Sequence, residues 1–456
     1  HSETTCLSKQ IIEPSGTVEH RVLGVHMQVH ELVSACHWRS LTPNADSRTQ
    51  ASRNVWLRFK EGLINDRSPR SYHCPMQRSI FEPEHEEFRS AVATFCDRTA
   101  APNLEKAIEQ RVFDRDVWRQ AGEQGFLGLE VPEEFGGSQA DDYRFNMVFA
   151  EELAKVSMGL NSSMQIHFDI CAPYLVDLGT TELKTRLLPD FAAGEKVAGI
   201  GMTEAGGGTD LAALKTTAVP DGDNWIINGS KTFITNGYTG EIIIVAARTS
   251  PEKGARGISL FVVEEGMPGF ERGRKLEKVG QHESDTAELF FNNVSVPGEN
   301  LLGEVDSGFI YMMERLPQER IGCAISNLAH AKQAFLETVE YAKEREAFGK
   351  PIGSFQHLKF VLAEQATKLD VTQAFMDECV MAKINGTFSA TDAAKAKWWT
   401  SQVQNDVIDA CVQIFGGYGY MNEYRIARAW QDARVTKIWA GSNEIMKELI
   451  GRELGF

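Results

Sequence analysis

The chain has 456 residues, 42% hydrophobic and 24% charged, a balance that provides for a buried core and roughly two to four domains. A formal net charge of −16 argues against nucleic acid or an anionic membrane surface as the main partner, while leaving room for a local basic pocket. No apolar run approaches the roughly 20 residues needed to cross a bilayer. The eight cysteines are scattered, with no C-x-x-C pair and no metal-ligand spacing, so a reducing compartment is the simplest reading and no metal site is expected.

Residues 1–75 lack clear periodicity, yet hold six of the eleven His and three of the eight Cys. Acidic Glu13, Glu19 and Glu31 fit a transit peptide poorly, and no apolar h-region marks a secretory signal. The segment reads as a leader or appended stretch without fixed structure, with a small extra domain as the alternative. From Met76 to Lys196 the pattern is helical, with turns of helix at Leu104 to Glu109, Asp116 to Glu123, Phe145 to Val156 and Glu182 to Ala192, and a loop at Pro132 to Gly137. Between Val197 and Leu302 short β-rich runs take over, at Trp225, Ile242, Ile258 and Ala287, separated by turn signals that include Asp221-Gly222 and Asn228-Gly229. After Gly303 helical periodicity returns. Ile321, Ile325, Leu328, Phe335, Val339 and Ala342 form one apolar stripe, and further helices are predicted over Gln356 to Asn385, Thr391 to Phe415 and Ser442 to the end. Helices, then strands, then helices exclude the alternating pattern of a dinucleotide-binding α/β sheet.

Four segments stand out. Met202-Thr-Glu-Ala-Gly-Gly-Gly-Thr-Asp210 is a Gly-rich loop whose backbone can approach a ligand closely. Asn228 to Gly237 sets Phe233 and Thr235 two residues apart, on one face of a strand. Arg345-Glu-Ala-Phe-Gly-Lys350, followed by Phe355-Gln356, is a charged helix end with a turn. Gln413-Ile-Phe-Gly-Gly-Tyr-Gly-Tyr420 has glycines but lacks the strand that a dinucleotide fingerprint requires. Each alone fits packing or a turn as well as a site.

Together, in this order, the four segments resemble the acyl-CoA dehydrogenase family over Met76 to Phe456. The resemblance implies a mostly α, α+β fold: an N-terminal helical domain (76–196), a middle β-barrel-like domain (197–303) and a C-terminal four-helix bundle (304–456). It implies FAD bound between the β domain and the C-terminal helices, with part of the site from a neighbouring subunit of a homotetramer. It sets Met202, Thr203, Gly208 and Thr209 along the flavin and thioester, with Phe233 and Thr235 flanking the isoalloxazine ring. The family often carries Trp where this chain has Phe233, so a ring is retained. Arg345, Phe348 and Gln356 would meet the phosphates and adenosine, an Arg being suited to bidentate phosphate contact. Gln413, Gly416 and Gly417 would wrap the pyrophosphate, with Ser442 and Glu444 near the adenosine end.

The implied reaction takes a proton from Cα of an acyl-CoA as a hydride leaves Cβ, and so needs a carboxylate base and donors on the thioester carbonyl. Many members supply the base from a Tyr-Glu-Gly-Thr motif, but here Trp439-Ala-Gly-Ser442 replaces that Glu with Ala440. Long-chain and isovaleryl-type members instead carry a Glu just before an Arg on the first C-terminal helix, which makes Glu319 in Leu316-Pro-Gln-Glu-Arg320 the candidate. Without the family, a Glu beside an Arg on a helix reads as solvated surface. Family members supply the donor near this position from a backbone N–H, so the resemblance implies that Ala440 and Gly441 still suit substrate binding alongside Thr209; Arg320 is either a CoA anchor or half of an ion pair. The resemblance points to long-chain acyl-CoA oxidation in fatty-acid β-oxidation, with electrons passed to electron-transfer flavoprotein. The compartment expected is the bacterial cytoplasm, with the mitochondrial matrix as the alternative. A short branched-chain dehydrogenase, a same-fold flavin monooxygenase or oxidase, and a non-catalytic acyl-CoA-binding paralogue are the rival readings.

Overall fold

The computed structural model describes residues 78–456, and the leader expected at 1–75 lies outside them. Helix α1 (Pro83–Phe95) starts from a capping box in which Glu82 and His85 satisfy one another's backbone donors. A π-helical turn at Cys96–Ala100 leads into α2 (Ala101–Gln110), followed by α3 (Arg115–Glu123) and α4 (Arg144–Val156). Ser157 then caps α5 (Met158–Gln165) by accepting from the Leu160 N–H at 2.9 Å. A second π-helical stretch, Ile166–Cys171, joins α5 to α6 (Ala172–Leu178), and Thr180 caps α7 (Thr181–Ala192). Phe95, Phe126, Phe149 and Phe168 form the aromatic spine of this helical layer.

Eight strands follow: β1 (Ala198–Gly201), β2 (Thr217–Asp221), β3 (Asn224–Thr235), β4 (Ile242–Arg248), β5 (Ile258–Glu264), β6 (Phe270–Lys275), β7 (Thr286–Pro297) and β8 (Leu301–Leu302). Their order is β6-β7-β3-β2-β4-β5-β8, with β1 parallel to β4. That path is open, so the barrel-like closure expected from the resemblance is not seen among the described residues. Both faces are covered. Ile242, Ile244 and Ala246 pack towards α6 and α7, whereas Ile243, Val245 and Ala247 meet Phe261 and Leu289. This explains why β4 reads as an unbroken apolar run instead of an alternating one.

Asn228-Gly229 corrects one expectation, for it does not end a strand. It lies inside β3, where the register with β7 shifts between Ile227 and Gly229. Gly229 has φ +148°, and a Cβ there would come within 2.5 Å of the Thr216 hydroxyl, so the position requires glycine. Asp221-Gly222 does turn the chain between β2 and β3.

The C-terminal part has three long helices, α8 (Gly308–Glu344), α9 (Gln356–Ile384) and α10 (Ala390–Phe415). The small hairpin β9 (Glu346–Ala347) and β10 (Lys350–Pro351) links α8 to α9. The predicted stripe on α8 is the core seam: Ile321, Ile325, Leu328, Phe335 and Ala342 are buried. Two short helices, α11 (Arg425–Ala433) and α12 (Asn443–Glu453), pack on α10, so the helix count exceeds the expected four. No described helix is long and apolar enough to cross a membrane.

Candidate active site

Glu319 stands near the start of α8, two residues after Pro317 and just before the buried run that begins at Arg320. Because Ile321 and Ile325 turn towards the core, the residues next to them are drawn against α6. The Tyr174 hydroxyl, on α6, donates to Glu319 Oε1 at 3.2 Å. Burial raises the Glu319 carboxyl to about 7, outweighing the Tyr174 hydrogen bond and the Arg320 charge that both lower it; the Asp169 carboxylate adds to the rise. It is therefore half-buried and poised near neutrality, unlike the solvated surface glutamate its local sequence suggests.

Arg320 itself is buried, and its Nε has no hydrogen-bond partner among the described residues. Its Nη2 lies 3.9 Å from where a Gly441 Cβ would stand, so the Ala440-Gly441 turn sits beside the residue that follows Glu319. Ala440 has φ +51° and Gly441 φ +85°, so two successive residues occupy the left-handed region. For alanine that costs roughly 1–2 kcal/mol, and the surroundings must hold it there. Lys397 is the holder: fully buried on α10, its Nζ donates to the Gly441 carbonyl at 2.6 Å and to Asn443 Oδ1 at 3.2 Å, while Ser401 also donates to Asn443. Burial, more than any neighbouring charge, lowers the Lys397 amine to about 8.

A second cluster gathers at the ends of β1 and β3. The Thr232 N–H donates to the Thr203 carbonyl at 3.0 Å, bringing Met202 and Thr203 against the strand that carries Phe233 and Thr235. The register with β7 shifts again between Lys231 and Ile234, and Phe233 takes φ +60°. The bulge throws its ring outward, leaving Phe233 69% exposed between buried Thr232 and Ile234. Glu204 anchors the Gly-rich loop by accepting from the Thr216 N–H at 2.9 Å and the buried Lys231 amine at 2.8 Å. Although burial favours protonation, those donors pull its carboxyl down to about 2. Gly206 has no neighbour within 4 Å of a Cβ position, and Gly208 meets only Thr203, so the loop containing Thr209 faces open space.

The remaining predicted residues form a third group. The Tyr341 ring stacks on Phe415 at 4.0 Å, and Arg345 lies over the Tyr418 ring, bringing the end of α8 beside Gln413–Gly417. Phe348 takes φ +54° and is 95% exposed, Gln356 and Gln413 are exposed, and Gly416 and Gly417 face open space. Ser442 stands just before α12, with Glu444 exposed in its first turn. Among the described residues no hydrogen bond or ion pair joins Arg345, Phe348 or Gln356 to Phe233 or Glu319.

An exposed aromatic held out by a bulge, a glycine loop without near neighbours and a second glycine pair beside an arginine fit a large planar cofactor with a phosphate-bearing tail. The sequence profile of the acyl-CoA dehydrogenase N-terminal domain matches residues 82–195, that of the middle domain 199–294 and that of the C-terminal domain 306–455. The chain belongs to the acyl-CoA dehydrogenase family and is an FAD-dependent acyl-CoA dehydrogenase. It is 44% identical to the mitochondrial long-chain specific acyl-CoA dehydrogenase of Sus scrofa, over 83% of this chain and 88% of that one. The mitochondrial isovaleryl-CoA dehydrogenase of Solanum tuberosum is 35% identical over 82% of this chain and 91% of its own. The crystal structure of an acyl-CoA dehydrogenase from Geobacillus kaustophilus superposes with a TM-score of 0.82 at 44% identity, covering 83% of this chain and all of that one.

Sequence reasoning missed three residues that shape the site. Tyr174, Asp169 and Lys397 lie in apolar or small-residue stretches where a lone polar group carries no local signal. Lys397 is one of two lysines in Ala393-Ala-Lys-Ala-Lys-Trp398, and nothing local separates it from the exposed Lys395.

Proposed function

We propose that this enzyme desaturates long-chain acyl-CoA to trans-2-enoyl-CoA in fatty-acid β-oxidation, with Glu319 as the base that takes the Cα proton. The observation that carries the reading is the half-buried Glu319 carboxyl, raised to about 7 and bonded by Tyr174, followed in sequence by the Arg320 that meets the left-handed Ala440-Gly441 turn. A carboxyl near neutrality balances the fraction ionised against its strength as a base. Bound FAD supplies the acceptor for the hydride that leaves Cβ. The chain's own part is to hold the thioester so that backbone N–H groups of the Ala440-Gly441 turn polarise its carbonyl, which makes the α-proton acidic. Phe233 and Thr235 flank the flavin, with Met202, Thr203, Gly208 and Thr209 along it, and Arg320 faces the CoA portion.

Arg345, Phe348, Gln356 and Gln413–Gly417 serve the phosphates and adenosine across a subunit contact of a homotetramer. Their exposure and their separate grouping support that division. Electron-transfer flavoprotein is the proposed electron acceptor. The five described cysteines are free and buried, which supports a reducing compartment, the bacterial cytoplasm or the mitochondrial matrix. The domain breaks near residues 196 and 303 are supported by the spans of the three matched profiles.

The long-chain preference is supported by the higher identity to a long-chain relative than to an isovaleryl one, 44% against 35%. Anaerobic titration of the flavin spectrum with acyl-CoAs of graded length tests it. Bleaching should be strongest with long straight chains; a maximum with isovaleryl- or butyryl-CoA would contradict the preference.

A further inference from the structure

Behind Glu319 lies a buried polar cluster that the reaction chemistry does not call for. Asp169, on the π-helical stretch Ile166–Cys171, is fully buried and its carboxylate accepts from four donors. Oδ1 takes Asn146 Nδ2 at 3.0 Å and Gln318 Nε2 at 3.1 Å; Oδ2 takes the Tyr143 hydroxyl at 3.1 Å and Gln165 Nε2 at 3.3 Å. Gln318 Nε2 also reaches Glu130 Oε1 at 2.9 Å and the Asp169 backbone carbonyl at 3.0 Å. The other end of the same amide accepts from Lys383 Nζ at 2.9 Å. Both ends of the Gln318 side chain are therefore fixed, and Gln318 immediately precedes Glu319.

α8 approaches this cluster closely. A Cβ at Gly322 would stand 2.3 Å from Asp169 Oδ2, so only glycine permits the contact. A buried carboxylate with this many donors is costly relative to an apolar filling of the same space. π-helical turns occur often at functional sites, where the extra residue re-aims side chains.

We infer that Asp169 and Gln318 form a positioning pair that fixes where the Glu319 carboxylate points and how readily it takes a proton. The pair acts through two routes: Gln318 clamps the turn of α8 that carries Glu319, and the Asp169 charge opposes ionisation of Glu319. The other groups facing the base are Tyr174 and Cys171 from the α6 side and Arg315 and Arg320 on α8, while Glu130 and Lys383 face Asp169 from the far side. Arg320 and the Tyr174 hydroxyl favour the ionised form, and Asp169 is the charged group that opposes them.

The inference rests on Glu319 being the base, and the test separates the two. Asp169→Asn and Gln318→Leu are compared with wild type and Glu319→Gln by anaerobic stopped flow across pH, using the FAD-loaded enzyme and one acyl-CoA. Both positioning variants should retain full FAD content and reduce the flavin roughly 10- to 100-fold more slowly. In Asp169→Asn the acid limb of the rate should also move to lower pH, because a negative charge is gone, whereas Gln318→Leu should leave it in place. A purely structural role would not move that limb. An unmoved limb in Asp169→Asn, or a full rate in Gln318→Leu, overturns the inference. If Asp169→Asn fails to fold, the Gln318→Leu rate decides alone. Normal bleaching by Glu319→Gln would instead overturn the base assignment beneath it.

Discussion

Two glutamates on helices, the buried Glu151 on α4 and the half-buried Glu319 on α8, are driven in opposite directions. Glu151 accepts from Arg78 Nη1 at 2.7 Å and Arg89 Nη1 at 2.9 Å. Burial alone would raise its carboxyl, yet the two guanidinium groups outweigh it and bring Glu151 down to about 2. Glu319 is raised by the same burial to about 7, with only a tyrosine hydroxyl bonded to it. The difference is the neighbours. Where cations touch the carboxylate, burial builds a strut that ties the N-terminal layer to α9 through Arg78 and Asp377. Where they do not, burial leaves a carboxyl near neutrality, the property the proposed base requires.

The largest effect is expected at the strut. Glu151→Ala removes the one carboxylate that Arg78 and Arg89, each 19% exposed, share. A loss of about 3–5 kcal/mol in denaturant unfolding is expected; a loss below about 1 kcal/mol would show that the arginines find other company. The sign in pH follows from a carboxyl lowered in the fold. The Glu151 contribution is complete above its ordinary value of 4.5 and is lost as pH falls towards about 2.

A smaller effect is expected at the left-handed turn beside Arg320. Ala440→Gly removes the left-handed strain of a residue at φ +51° and should stabilise the protein by about 1 kcal/mol. Thermal unfolding checks it, and a destabilised variant would mean that the methyl group contributes packing worth more than the strain. The smallest change sharpens the base itself. Tyr174→Phe deletes the hydrogen bond that favours the ionised Glu319, so the acid limb of kcat/KM should rise above the wild-type position near 7. A limb that moves down would contradict the assigned donor.

The same contrast explains how much was legible in the sequence. The stripe from Ile321 to Ala342 is long and strictly periodic, and it became the core seam of α8. The Gly-rich loop and the Phe233-to-Thr235 segment stand out in the sequence, and the structure brings them together at the ends of β1 and β3. What stayed hidden was long-range or short. Tyr174 is 145 residues from Glu319, and nothing near either residue indicates the contact. The α5-to-α6 region buries Ser162, Ser163, Gln165 and Asp169 along with its apolar residues, so its polarity does not mark a solvent face. Helix α11 has only nine residues and β1 only four, too few for either period to show. Asn228-Gly229 carries a turn signature, but cross-strand pairing with β7 turned it into a bulge.

The most direct test of the account is flavin bleaching by Glu319→Gln, mixed anaerobically with a long-chain acyl-CoA after FAD loading is confirmed from its spectrum. The account predicts that the variant binds FAD and the acyl-CoA as wild type does, while flavin reduction falls by roughly 10²–10⁴. Bleaching at the wild-type rate would contradict it, and would show that a group other than Glu319 takes the α-proton.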